Sequence, residues 1–404
     1  MQLFTQAANA ASLAKVYSKV TLPLYERYRN LISRFCKEYS SSSCFLASSP
    51  GRVELIGNHT DHNGGFVVAC AINLDVIAAF SPRDDGIVSV KSDNYRPIVF
   101  SVKDAGIKQS GSNGMVRGVT EYLQSNGYAV GGFNAYLQSQ LPVGAGVSSS
   151  AAFQLLIATI YNDLYNDDKI DAITLARAGQ FAENVYFGKP CGLLDQSAIA
   201  LGGVVEFNFS SGVAYRQINS ASNLSLVLVN TGKSHSSLTD AYAQIPADMK
   251  QAAGVFGKDL LCNVAEEEFY ANLDVVSEAV GARATGRACH FFEECRRAKQ
   301  FSHALERGDD QLAVRLINES GKSSRSKLRN CSFRGDRAII RVMDFVSEHF
   351  PGCGVRVHGG GFAGTVLCIV KASEEQEFVK SLSHKFGKTN VIPLSVRLCG
   401  ATTL

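Results

Sequence analysis

At 404 residues, with 46% hydrophobic and 19% charged content, the chain has material for two buried cores and the composition of an ordinary globular protein. Its formal charge of +3 is small for that length and no acidic or basic tail stands out, so neither nucleic acid nor a membrane surface is an expected partner. The eleven cysteines are odd in number and include no Cys-x-x-Cys pair, which argues against a disulfide framework or zinc ribbon and fits reduced thiols in the cytoplasm.

Met1 to Val20 has no continuous apolar stretch and does not read as a secretory signal. The longest apolar run, Phe66 to Phe80, is interrupted by Asn73 and Asp75 and is too short to span a bilayer. Leu24, Tyr25, Tyr28, Leu31, Ile32 and Phe35 recur at helical spacing and predict a helix over Pro23–Tyr39. The apolar runs Cys44–Ala47 and Phe66–Ile72 flank Ser-Pro-Gly-Arg-Val-Glu-Leu-Ile-Gly-Asn-His-Thr-Asp-His-Asn-Gly-Gly, residues 49–65, which is expected as a polar loop presented by two strands. Further strands are expected at Val76–Phe80, Ile87–Val90, Ile98–Val102 and Gly132–Leu141, with an amphipathic helix at Met115–Leu123.

Leu141 to Ala152 passes from strand through Gly144-Ala145-Gly146-Val147-Ser148-Ser149-Ser150 into an apolar helix. Glycines let a backbone approach a bound group closely, and unpaired N–H groups at a helix start favour phosphate. Alone, the same pattern also describes a serine-capped helix after a flexible turn. A helix over Asp171–Phe187 carries Glu183 late, and Lys189 to Gln196 then begins a short apolar helix. There Asp195 stands among Leu193, Leu194, Ala198 and Ile199, either as an acidic cap or as a paired, functional carboxylate.

Strands at Val204–Phe209 and Leu224–Val229 enclose a serine-rich bend, near which the chain is expected to divide into domains 1–215 and 216–404. The second half predicts helices after Ser236, at Arg287–Arg307, Ala338–His349 and Glu374–Phe386, and strands at Val366–Val370 and Val391–Val396. Before Val366 lies Val355-Arg356-Val357-His358-Gly359-Gly360-Gly361-Phe362-Ala363-Gly364. This run lacks the context of a dinucleotide fingerprint, and no Walker-type loop or protein-kinase set is present.

Three segments in this order, Gly51–Gly64, Pro142–Ala151 and Val357–Gly364, resemble the motifs of the GHMP small-molecule kinases, the family of galactokinase, homoserine kinase, mevalonate kinase and phosphomevalonate kinase. The first segment and Cys-Gly-Leu-Leu-Asp-Gln at 191–196 are similar to the galactokinase branch. The resemblance implies an α+β fold in two lobes, the first ribosomal-S5-like and the second ferredoxin-like. It implies transfer of phosphate from ATP to the anomeric hydroxyl of galactose, by a monomer, with Mg2+. Residues Gly144 to Ser150, with Ala145, Gly146, Val147, Ser148 and Ser149 between, would wrap the phosphates, and Ser150 with Glu183 would hold the metal. Asp195 would face the hydroxyl as base or as orienting group, with Arg52 beside it. Asn58, His59, Thr60, Asp61, Asp195 and Tyr242 would hold the sugar, Tyr242 being placed by its spacing from His235.

The match departs from the family pattern in three respects. An acid is usual at Asn58 and an asparagine at Glu54, so the two types are exchanged. His62 replaces a tyrosine, and Val357-His358 replaces Met-Thr. Asn58 would remove a negative charge beside the sugar's C6, which leaves galacturonate as an alternative substrate. A non-catalytic regulator that binds sugar and ATP is a further alternative, although the Ser148–Ala152 run, Arg52 and Asp195 are intact. His62 and His358 are expected as packing residues, Lys233 and Arg356 as solvated charges.

Overall fold

The computed structural model describes residues 10–404 apart from 94, 143, 189–190 and 233–238. Its strands are β1 Phe45–Ile56, β2 Phe66–Arg83, β3 Ile87–Ser92, β4 Ile98–Ser101, β5 Gly132–Ser139, β6 Val204–Asn208, β7 Ala214–Ile218, β8 Leu224–Asn230, β9 Gly354–His358, β10 Thr365–Lys371, β11 Val391–Leu394 and β12 Thr402–Thr403. Its α-helices are α1 Ala10–Val16, α2 Leu22–Tyr39, α3 Gly111–Ser125, α4 Ser149–Asn166, α5 Ala172–Phe181, α6 Leu194–Leu201, α7 Thr239–Gly254, α8 Glu266–Ala271, α9 Leu273–Arg307, α10 Asp310–Ser323, α11 Ala338–His349 and α12 Glu375–Phe386.

Eight strands form the first sheet, in the order β12-β1-β2-β5-β3-β4, with β6 paired to β2 and β7 to β6. Four form the second, in the order β11-β8-β10-β9, antiparallel throughout and with the strand order of a ferredoxin-like unit. This is the two-lobed α+β architecture that the resemblance implies. Alternation along β10 joins the lobes: Leu367 and Ile369 enter the core of the first sheet and α4, while Val366, Cys368 and Val370 pack under α11 and α12. No helix among the described residues is long and apolar enough to cross a membrane.

The stretch from Ser49 to Ile56, expected within a loop, continues β1 instead. Register shifts between Pro50 and Arg52 and between Glu54 and Ile56 let the strand absorb a proline and stay paired to β2. Only residues 57–65 form the turn. In the same way β2 is one strand where two are expected, because its polar residues are satisfied inside the fold. Asn73 exchanges hydrogen bonds with Ser395, and the fully buried Asp75 accepts from Arg27 at 2.6 Å, Ser48 at 2.6 Å, Arg397 at 3.1 Å and Tyr17.

Strands β7 and β9 and helix α10 lie outside the expected elements. Four of the five β7 residues are exposed, so it carries no alternating pattern, and β9 is buried on both faces. The charged helix reaches back from Arg287 to Leu273, with a break at Gly281. After β11 the chain returns to the first lobe: Arg397 pairs with Ala71 and Gly203 through its backbone, and β12 adds to the edge of β1.

Candidate active site

Arg52 sits on β1 beside its bulge, and Asp195 in the first turn of α6. The fold brings them into an ion pair, with Arg52 Nε at 2.8 Å and Nη2 at 2.7 Å from Asp195 Oδ1. The other carboxylate oxygen accepts from the Ser148 hydroxyl. Arg52 is nearly buried, whereas the Asp195 side chain keeps 36% of its surface exposed. A fixed guanidinium behind a carboxylate that remains open is suited to holding a hydroxyl and balancing charge that moves toward it.

Ser148 has φ of 58°, a left-handed conformation for a residue with a side chain, and directly precedes α4. Gly144 and Gly146 also have positive φ, so the backbone from 144 to 148 turns repeatedly in the manner of anion-binding nests. Three successive carbonyls are held from behind. Ala145 accepts from the Thr365 hydroxyl at 3.2 Å, Gly146 from Arg52 Nη1, and Val147 from the Arg52 backbone N–H at 3.2 Å. Helix α4 then opens at Ser149 with its first N–H groups unpaired within the helix, and its 18 residues align a dipole behind them. One turn after Ser150, Gln154 donates to the buried Glu183, so this carboxylate lies alongside the first turns of α4. A serine hydroxyl, a carboxylate and phosphate oxygens are the hard donors that Mg2+ takes.

The turn after β1 carries Asn58, His59, Thr60 and Asp61. The Asn58 amide is fully engaged: Nδ2 donates to Glu54 Oε1 at 3.0 Å and Gly359 O at 2.7 Å, while Oδ1 accepts from Asn330 at 2.8 Å. His59 donates through Nε2 to Gly360 O at 2.9 Å and has φ of 60°. Burial pulls its pKa down to about 4, and the Gly360 and Asp61 oxygens do not reverse this. Thr60 donates within the turn, to Gly57 O or Phe66 O. All three side chains are buried. They shape the turn from within.

Asp61 is the one of these four that is not fully buried. Its Oδ2 stands 2.6 Å from where a Cβ would lie on Gly192, at the approach to α6, so glycine is what admits the carboxylate there. Tyr242 packs its ring over Gly360 and donates to Gly361 O at 3.0 Å. Burial pushes its hydroxyl up to about 12. His235 and Lys233 lie outside the described residues.

Other groups around this turn carry no motif. Arg356, expected as a solvated charge, is fully buried and pairs with Glu54 at 2.7 Å. Glu294 on α9 accepts from the backbone N–H groups of Gly57 and Asn58 and from Ser320. Burial would raise its pKa, but His290, Arg297, Arg356 and Ser320 hold it at about 2. His290, one turn before Glu294 on the same helix face, donates to Asn58 O at 3.0 Å. That i, i+4 pair of polar groups, on a buried helix face that also carries Arg287 and Arg297, is a sequence signal for this support. His62 is exposed rather than packed, and His358 is buried and hydrogen-bonded at both ring nitrogens.

Comparison with known proteins places these features. The family described as "Galactokinase galactose-binding signature" matches residues 33–82, and "GHMP kinases N terminal domain" matches residues 114–203. Galactokinase of Limosilactobacillus reuteri is 31% identical over 359 residues, covering 83% of this chain and 88% of the relative. Galactokinase of Clostridium tetani is 30% identical over 371 residues, covering 89% and 92%. Among solved structures, Lactococcus lactis galactokinase complexed with galactose superposes with a TM-score of 0.82 at 24% identity, over 94% of this chain and 99% of that one.

Proposed function

The chain belongs to the galactokinase family, and on that premise we propose how its residues carry out ATP-dependent phosphorylation of galactose. It is a kinase that moves phosphate from ATP to a sugar hydroxyl. The observation that carries the residue assignment is the Arg52–Asp195–Ser148 cluster, which joins β1, the 144–150 loop and α6 at one point.

In this reading the sugar lies against Asp61, Asp195 and Tyr242, on a turn shaped by Asn58, His59 and Thr60. The anomeric C1 hydroxyl bonds to Asp195, and residues Gly144 to Ser150 hold the phosphates. The hydroxyl oxygen attacks the γ-phosphorus in line, the bond from that phosphorus to the β,γ-bridging oxygen breaks, and ADP leaves. Asp195 orients the hydroxyl and takes up its proton as the O–P bond forms, and Arg52 stabilises the charge on the moving group. Ser150 and Glu183 would hold Mg2+, whose chemistry is to neutralise the phosphate oxygens.

A negatively charged sugar is not favoured by this geometry. Asn58, the position that raised this alternative, has its amide committed to Glu54, Gly359 and Asn330, and the Glu54 charge is paired with Arg356. A cytoplasmic monomer divided near residue 215 completes the proposal, supported by eleven free thiols and by the change of sheet between β7 and β8. Incubation of the purified chain with ATP and galactose, followed by phosphorus NMR, is expected to give ADP and a C1 phosphate ester. Turnover should stop on chelation and return with Mg2+; turnover of galacturonate with none of galactose would overturn the proposal.

A further inference from the structure

His358 and Thr365 face each other as a cross-strand pair at the ends of β9 and β10, and both are buried. His358 Nε2 lies 3.2 Å from the backbone nitrogen of Glu54, and Nδ1 lies 3.1 Å from Thr365 Oγ1. A backbone N–H can only donate, so Nε2 is the acceptor and the ring proton is on Nδ1. The Thr365 oxygen therefore receives that proton and turns its own toward the Ala145 carbonyl, 3.2 Å away. The bonds run in one direction, from Glu54 through His358 and Thr365 to Ala145.

The chain of bonds closes on the active site. Glu54 lies two residues after Arg52 on β1, and Arg52 holds the carbonyls of Gly146 and Val147, the next two after Ala145. A Cβ on Gly146 would meet Thr365 Oγ1 at 3.3 Å and His358 Nδ1 at 3.4 Å, so the loop rests directly on the pair. Without Thr365 the Ala145 carbonyl would be left buried without this donor, and the loop would move to satisfy it. We propose that His358 and Thr365 are positioning residues for the nucleotide, setting the height of the 144–148 loop through the Ala145 carbonyl. The inference rests on that loop being the one that holds the ATP phosphates.

Steady-state kinetics on the full chain separate the two ideas. Thr365→Val removes one hydroxyl and keeps the shape; it should raise KM for ATP about tenfold and leave KM for galactose within about twofold. Thr365→Ser should restore the ATP value. His358→Leu should behave as Thr365→Val does, and the double variant should be no worse than His358→Leu alone, because both cut one chain. Gly144→Asp tests the loop itself: a Cβ there meets nothing within 4 Å, but its φ of 76° strains the loop and the new carboxylate sets a negative charge beside the phosphates. If Gly144→Asp raises KM for ATP and Thr365→Val leaves it within twofold, the positioning role is wrong and the loop assignment stands. If neither variant changes KM for ATP, the loop assignment falls and the inference with it. A lower unfolding temperature with both KM values unchanged would mean that the pair is structural only, and would also overturn it.

Discussion

Glu54 and Asn58 share a hydrogen bond of 3.0 Å, and the same carboxylate oxygen of Glu54 is paired with Arg356 at 2.7 Å. An acid and an amide have exchanged places across one bond, and the second lobe supplies the partner for each. Arg356 takes the carboxylate, and Asn330 with Gly359 takes the amide.

Asn58→Asp is therefore expected to destabilise the protein although it changes almost no volume. It replaces Nδ2, which donates two N–H bonds, by one carboxylate oxygen facing both Glu54 Oε1 and the Gly359 carbonyl, a loss of about 3 kcal/mol. Urea unfolding should show a lower midpoint at unchanged slope. A variant as stable as the parent would mean that Asn58 is not committed to these partners.

Asp195→Asn keeps shape and hydrogen-bonding reach but removes the proton acceptor. It should lower kcat by about three orders of magnitude and leave galactose affinity by calorimetry within about tenfold. Unchanged kcat would remove Asp195 from the chemistry.

Gly192→Ala addresses the sugar alone. The new methyl would stand 2.6 Å from Asp61 Oδ2 and displace it. KM for galactose should rise about tenfold, with KM for ATP within about twofold. Equal change in both would place Asp61 outside the sugar site.

Acid should unfold the protein in two steps of the same sign. The folded state holds His59 at about 4 against an ordinary 6.5, so as pH falls through that window the unfolded chain takes the proton first. Stability is full above about 6.5, and about 3 kcal/mol of it is lost by about 4. Burial lowers His290 in the same direction. Below that window Glu294, held at about 2, and Asp75, held below its ordinary value against burial by Arg27 and Arg397, lose their contributions as they protonate. His59→Gln, which can still donate to Gly360, should flatten the melting temperature between pH 6.5 and 4; a profile identical to the parent's would count against the assignment.

The residues proposed to act on ligands were legible because they sit in glycine-marked segments where a side chain has no packing reason to be there. Arg52, Asp61, Asp195 and the 144–150 loop all belong to such segments. The support behind them was not. Glu54 and Arg356 are 302 residues apart, and no local pattern links a charge on one strand to its partner on another sheet. Arg356 lies in a short run of valines beside glycines, where an arginine reads as an exposed side chain. Continuous strands replaced expected breaks for a related reason: Asn73 and Asp75 look like interruptions until Ser395 and Arg397 arrive from the other end of the chain to satisfy them.

That return of the last segment has a consequence for biosynthesis. Asp75 is buried with two arginines, one of which, Arg397, emerges from the ribosome more than three hundred residues later. Strand β1 lacks its outer neighbour until Thr402 and Thr403 are made. Until then the first lobe holds a carboxylate with part of its counter-charge missing and a sheet with an uncapped edge. Its final consolidation must therefore wait until residues 397–403 have been made, and nascent chains stalled before residue 397 should remain open to proteases that chains extending past residue 403 resist.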